Sequence, residues 1–350
     1  MRGRVMAIIR SIAVGIMVAL SLWSCQRIEL YELTTRVNLK MNVNLDIDQS
    51  LDMAIETDVA AEFGSKVAGT MPQYMEVIFY NVDDDKLVYS FVISAEGGEV
   101  SVAPGNYNVV AYSYGTESTQ VDYLSDREKA EAFTTDITKS MQGLFKAAVA
   151  NAKGTSTKGD TRGYEDDPIV YEPDHLYTAN EYDVSIPSFE GRDESVELHT
   201  TASSILDVYS LEVIGVTGLE NIQKVEAFIT GQIRSNYFGV EERSTDPATL
   251  YIDDFRMDSA NGRLYSVFGT FGKLPGADNH IYLDITVTNA DGGKYRYVYD
   301  VTDQFENHED LNNRLVIYDD IDIPAGEVGG GGLAPEVGEW DEETVEVPLM

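Results

Sequence analysis

An all-β fold, two β-sandwich domains in tandem with a short helix in the first, is what this chain predicts. Three observations point there. In VNLKMNVNLDI, apolar Val37, Leu39, Met41, Val43, Leu45 and Ile47 alternate with Asn38, Lys40, Asn42, Asn44 and Asp46. Such alternation is the signature of a half-buried strand, and a helix would scatter the six around its circumference. Short apolar runs recur along the rest of the chain with turn residues between them, which favours sandwiches over any α/β plan. Residues 141–180 interrupt the pattern near the middle and divide the strands into two blocks.

The chain opens with Arg2, Arg4 and Arg10, then the apolar run SIAVGIMVALSLW, then small residues. Basic start, apolar middle and small end make a secretory leader, and the run is shorter than the roughly 20 apolar residues a spanning helix needs. Residues 1–24 are therefore expected to be a lipoprotein signal peptide. Leu22, Trp23, Ser24 and Cys25 resemble a bacterial lipobox, with cleavage between Ser24 and Cys25 and a lipid such as palmitate on the thiol; Trp23 is an unusual occupant. The alternative is that Cys25 is an ordinary residue at the end of a leader. Cys25 is the only cysteine, so no intramolecular disulfide forms and stability must come from the core. Buried acyl methylenes, at about 0.8 kcal/mol each, hold a protein on a membrane surface without a spanning segment.

Residues 25–36 read as a tether, 37–140 as the first domain. Its strands are expected at 37–47, YMEVIFY (74–80), KLVYSFVI (86–93), EVSVA (99–103) and NYNVVAYSY (106–114), with NVDDD and APG as turns. Ser125 and Glu128 have capping-box spacing ahead of KAEAF, predicting a helix continuing to Phe133. Residues 141–180 read as a long loop, small, polar and charged in NAKGTSTKGDTRGYEDD. The second domain, 181–325, carries runs at DVSIPSF, SVELHTTA, ILDVYSLEVIGV, KVEAFIT, LYSVFGTF, HIYLDITVT, YRYVYDVT and LVIYDDIDI. The loop NADGG at 289–293, between two alternating runs, marks a hairpin. Residues 326–350 form a Gly-rich acidic tail in which Val345, Val347 and Leu349 alternate with polar residues. Either it is a disordered acidic tail or it ends in a strand that pairs with this domain or with a neighbouring subunit.

Charge excludes one class of partner. With 25 Lys and Arg against 60 Asp and Glu, the formal charge is −35, and −38 once the three leader arginines are removed. A surface of that sign repels phosphate, so nucleic acid is not expected as a partner. At 43% hydrophobic residues, with 21 tyrosines, the chain can still fill sizeable cores.

Catalytic and metal motifs are not found. His175, His199, His280 and His308 lie far apart, with no partner at zinc-site spacing. GTFGK (269–273) lacks the glycine spacing of a phosphate loop and reads as a strand end. DIDQSLD (46–52) starts like a calcium loop, but Leu51 stands at the glycine position and Thr57 at that of the bidentate Glu. KGD (158–160) matches an adhesion tripeptide by chance as easily as by function. Carboxylate pairs are too common here to nominate a glycosidase, and there is no GxSxG elbow. No enzyme activity, no cofactor beyond the covalent lipid and no metal are expected.

The lipobox followed by CQRIELYEL, then MEVIFYNVDDDKL, PGNYNVVAYSY, PDHLYTA (173–179), GVTGLENIQKVEAFITG, FGTFG and DVTDQF (300–305), resembles in its order the fimbrillin-like outer-membrane lipoproteins of Bacteroidales, in a largely uncharacterised branch of that superfamily. The resemblance spans nearly all of the chain after the leader. It implies two transthyretin-like β-sandwiches and a lipid-anchored precursor bound for the outer membrane, cell surface and fimbriae. It implies further that polymerising members are trimmed after an arginine and exchange strands, whereas anchors keep their lipid. Arg36 is where such a cut would fall here, though an ordinary exposed arginine at the start of a strand reads equally well. Val37, Leu39, Met41, Val43 and Leu45, with Val345, Val347 and Leu349, are the candidates for strand exchange. The function expected is that of a lipid-anchored structural or adhesive protein: a fimbrial subunit, anchor or accessory whose partners are the membrane, other fimbrial subunits and a host or bacterial surface ligand. The second reading is a surface lipoprotein that binds glycan or another extracellular ligand through exposed aromatics.

Overall fold

The structure is a computed structural model that describes residues 34–43, 71–116, 118–139, 142–143, 153–157, 167–189, 194–276, 280–307 and 313–325. Its strands are β1 (Thr35–Val43), β2 (Tyr74–Asn81), β3 (Leu87–Ser94), β4 (Gly97–Val102), β5 (Gly105–Tyr114), β6 (Thr119–Asp122), β7 (Glu131–Thr134), β8 (Lys153–Thr157), β9 (Ile169–Tyr171), β10 (Tyr177–Ile186) and β11 (Ser195–Ser204). They continue as β12 (Asp207–Thr217), β13 (Ile222–Ile233), β14 (Ser235–Tyr237), β15 (Glu242–Arg243), β16 (Pro247–Ile252), β17 (Arg256–Asp258), β18 (Arg263–Thr270), β19 (Tyr282–Asn289), β20 (Lys294–Asp300) and β21 (Arg314–Asp322). A short α-helix, α1 (Thr302–Glu306), follows β20. The all-β class is thus the observed one.

Alternation in sequence becomes alternation in space. In β1, Val37, Leu39, Met41 and Val43 are buried while Lys40 and Asn42 are exposed, as a period of two requires. Seven strands close into a ring ordered β1-β11-β10-β5-β2-β3-β4. The ring is thin at two seams. β3 meets β4 through the single pair Ser94–Gly97, and β10 meets β11 only at Tyr177–Ser204 and Thr178–Ser203. A three-stranded layer (β11-β1-β4) and a four-stranded layer (β10-β5-β2-β3) therefore face each other across one core. Phe79 packs edge-on to Phe91 and Tyr107 there, at 6.1 and 5.7 Å. The first unit, expected as a β-sandwich, is thus closed at its seams into a flattened barrel.

A second core lies between the four-stranded sheet β17-β18-β12-β21 and the six-stranded sheet β8-β20-β19-β13-β16-β9. The hairpin expected at NADGG is present: β19 and β20 pair antiparallel up to Thr288–Lys294, and Gly292 takes φ +82 at the turn. A third core joins the two sandwiches. Ile78, Tyr80, Val110 and Tyr112, on the outer face of β2 and β5, pack with Ala130, Ala132, Ile233, Phe238 and Phe271. Beside it, strands from both halves of the chain form the small sheet β15-β14-β7-β6.

Three expectations need correction. The helix expected from Ser125 to Phe133 is a single 3-10 turn, Arg127–Lys129, followed by strand β7. Tertiary bonds displace the cap: the Ser125 carbonyl accepts the Leu87 amide, and the Asp126 carboxylate accepts Lys86 Nζ at 2.7 Å. Gly239 packs so closely on this turn that a Cβ there would lie 2.1 Å from the Arg127 carbonyl oxygen. Second, the stretch 141–180 is not wholly loop. β8 and β9 add to the six-stranded sheet, parallel to β20 and β16. Third, the boundary expected at 180/181 falls inside β10. The β10 and β11 strands belong to the first ring, whose residues run to Ser204, because each pairs there with a strand of the first block.

Candidate functional site

Four of the predicted strand-exchange residues, Val37, Leu39, Met41 and Val43, lie on β1, and its position in the sheet governs what they can do. β1 is a central strand. From Arg36 to Val43 it pairs parallel with β11 (Ser195–Ala202), and from Thr35 to Lys40 it pairs antiparallel with β4. At its start, the Thr35 hydroxyl donates to the Pro187 carbonyl at 2.6 Å, and Asn38 Nδ2 donates to Ser195 Oγ at 2.8 Å. On the exposed face Lys40 Nζ lies 2.6 Å from Glu197, holding that carboxyl below the usual carboxylate range. Val37, Leu39, Met41 and Val43 are 0, 3, 8 and 7% exposed, and full burial of such side chains stabilises by roughly 1.5–3 kcal/mol each.

Arg36 is itself part of β1. It pairs with Ser195 and Ser101, and its guanidinium lies 3.8 Å from Glu99. Scission after Arg36 would remove residues up to 36 and leave Val37–Val43 between β11 and β4, so a cut there would not by itself vacate the strand. Ser24, Cys25, Leu45, Val345, Val347 and Leu349 lie outside the described residues, as do the calcium-like loop at 46–52, KGD and His308. Among the described residues no helix is long and apolar enough to cross a membrane. Of the histidines described, His199 and His280 are solvent-facing, beside Glu197 at 3.5 Å and Asp300 at 3.9 Å. GTFGK is the end of β18 and the bend after it.

A concavity, which the sequence did not single out, opens where the first ring meets the four-stranded sheet. The cleft holds about 780 Å³ between the start of β2, the end of β5, the segment before β10 and the end of β18. Tyr74 and Tyr114 stand at it, 45 and 55% exposed. His175 stacks on Tyr177 within it, ring centres 6.0 Å apart. Among 21 tyrosines nothing local distinguishes these two. Both tryptophans, Trp23 and Trp340, lie outside the described residues.

Residues 56–253, more than half of the chain, match the family described as a domain of unknown function, DUF5119. The chain belongs to that family. This DUF5119 chain is 30% identical over 165 residues to a candidate fimbrium anchoring subunit, Fim4B, of Bacteroides ovatus, an alignment covering 47% of this chain and 42% of the relative. The chain thus spans less than half the length of the curated relative it matches. The crystal structure of a candidate adhesin from Bacteroides ovatus superposes with a TM-score of 0.53 at 22% identity, covering 85% of this chain and 94% of that one. That likeness is one of fold. The fimbrial anchor protein Mfa2 of Porphyromonas gingivalis aligns over 81% of this chain and 90% of its own at 10% identity and a TM-score of 0.44. The resemblance to fimbrillin-like proteins of Bacteroidales is met again in the candidate fimbrium anchoring subunit of Bacteroides ovatus.

Proposed function

We propose that this protein is a lipid-anchored fimbrial anchor or accessory protein of the cell surface, a structural and adhesive part rather than an enzyme, whose partners are other fimbrial subunits. In this reading the leader is cut between Ser24 and Cys25, and Cys25 carries the lipid on the outer membrane. The seven-stranded ring and the ten-stranded second unit are two transthyretin-like sandwiches, the second drawing β8 and β9 from chain that precedes β10 and the rest from residues after Ser204, and the Arg36 bond stays intact.

The observation that carries the anchor role is the central place of β1, hydrogen-bonded on both sides with its apolar face in the core. A retained β1 suits a terminal subunit. It offers no vacated groove for a donor strand, and it continues the chain directly from the tether. Nine residues lie between Cys25 and Thr35, so even fully extended their ten steps hold the first ring within about 35 Å of the lipid. The candidate anchoring relative supports the same role.

Mass spectrometry of the protein from envelopes and from sheared fimbriae tests this. The expected result is an acylated Cys25 terminus in the envelope fraction, with no terminus at Val37. A Val37 terminus recovered from polymeric fimbriae would replace the anchor reading with that of a polymerising subunit. An unacylated terminus would remove the lipid.

A further inference from the structure

The outer face of β2 and β5 carries rows of cross-strand pairs, Ile78–Val110, Glu76–Tyr112 and Tyr74–Tyr114, going from the middle of the strands to their ends. The second sandwich covers the first of these rows completely. Ile78, Val110 and Tyr112 are buried in the third core, and Glu76 accepts the Tyr112 hydroxyl and, at 2.5 Å, that of Ser90. One row further on the cover ends. Tyr74 and Tyr114 emerge side by side, about half exposed, at the cleft between the two sandwiches. Directly opposed residues of an antiparallel pair hold their Cβ atoms about 5 Å apart, so the two rings offer adjoining aromatic surface. Neither ring is consumed by either core cluster of this layer.

The rest of the cleft narrows the choice of ligand. Its wall is apolar at Leu206 and Phe268, and its carboxylates are Glu172 and Asp174. Among the described residues no lysine or arginine lines it, and the whole chain carries −35, so an anionic ligand is repelled. A peptide strand finds no free edge at the tyrosine row, because Tyr74 is already paired with both Ser94 and Tyr114. On the opposite wall, the Gly269 amide already donates to Glu172 at 2.9 Å. What fits is an uncharged molecule with flat apolar faces for the tyrosine rings and hydroxyls for the polar rim. A sugar ring has both. Tyrosine suits this task because its apolar body and polar tip serve both kinds of surface at small entropic cost. The volume falls within the usual range of ligand sites.

We propose that this cleft binds a neutral saccharide, stacked on Tyr74 and Tyr114. The inference is independent of the anchor reading, since it concerns a face remote in sequence from Cys25 and β1.

Binding of the full chain to three neutral probes, maltoheptaose, cellohexaose and yeast α-mannan, is measured by titration calorimetry, with heparin and polygalacturonate as anionic counterparts. Binding to at least one neutral probe and to neither anionic one is expected. Tyr74→Ala and Tyr114→Ala should each weaken it about tenfold, at an unchanged melting temperature because both side chains are exposed. Tyr114→Phe should keep the affinity within about threefold, since the ring face is retained. Tyr318→Ala, at an exposed side chain of β21, should leave binding unaltered. Failure to bind any neutral probe, preference for the anionic ones, or indifference to the double alanine substitution would each overturn the proposal.

Discussion

Arg127 grips Asp85 along one edge of its guanidinium, Nε to Oδ1 at 2.6 Å and Nη2 to Oδ2 at 3.1 Å. Its remaining nitrogen, Nη1, donates to the Gly239 carbonyl at 2.9 Å. One charge pair thus ties the β2–β3 turn, the 3-10 turn and the β14–β15 turn together, beside the core that joins the sandwiches. Asp85 also accepts Asn108 Nδ2 at 3.0 Å and sits at φ +53, where short polar side chains are tolerated. Asp85→Ala should therefore cost about 2 kcal/mol, measured by urea denaturation. A change below about 0.5 kcal/mol would mean that the clamp is ornamental.

The same carboxylate makes stability depend on pH. The hydrogen-bonded Arg127 holds Asp85 below the usual carboxylate range, against the opposing effect of burial. The folded protein then binds this proton less readily than the unfolded chain does. The stabilisation is complete above an ordinary carboxylate pKa of about 4 and fades as pH falls through the lowered value. The wild-type advantage over Asp85→Asn should accordingly be flat from about pH 5 to 7 and shrink on further acidification. Denaturant midpoints of the two proteins across that range would check it, and an advantage growing toward low pH would contradict the assignment.

Gly97 and Gly98 are adjacent at the β3–β4 seam but not equivalent. Gly97 has φ +114, and a Cβ there would lie 2.1 Å from the Leu39 carbonyl oxygen, on the backbone of β1. At Gly98 the nearest atoms, in the Ile93 side chain, are 3.4 Å away. Gly97→Ala should cost about 1–3 kcal/mol through strain, whereas Gly98→Ala should stay within about 1 kcal/mol of wild type. Melting curves of the two variants would show the asymmetry.

Glu212 is fully buried at the middle of β12, between Arg263 at 2.8 Å and Arg314. Glu212→Leu would leave two guanidinium groups without their counter-charge, and about 3 kcal/mol should be lost. Because both arginines are partly exposed, the triple change to leucine at 212 and methionine at 263 and 314 should recover much of that loss. Equal instability of the single and triple variants would show that packing, not charge, sets the penalty.

Legibility in the sequence followed physical scale. The alternation of Val37 to Val43 named both strand and inward face, because a period of two is written in neighbouring residues. The β19–β20 hairpin was legible for the same reason. The helix expected after Ser125 does not form because a capping box is a local signal, whereas Ser125 and Asp126 are bonded to Leu87 and Lys86, some forty positions earlier. β8, β9 and the short strands β14, β15 and β17 are not legible in the sequence because each is held by pairing rather than by a pattern of its own. The cleft was illegible since Tyr74 and Tyr114 differ from buried Tyr80 and Tyr112 only in what the second sandwich happens to cover.

By itself, the sequence determined that the chain is built of strands, which side chains of the longer strands face inward, and that its surface is strongly anionic. It also yielded the family resemblance and the lipobox expectation. Tertiary structure decided that β1 is a central strand with Arg36 inside it, that β10 and β11 return to the first ring, and that two sandwiches share a core yet leave one row of tyrosines uncovered. The division has one cause. Side-chain alternation is a property of adjacent residues, whereas strand order and the cover of a sheet face depend on partners more than a hundred positions apart, such as Val37 and Val196.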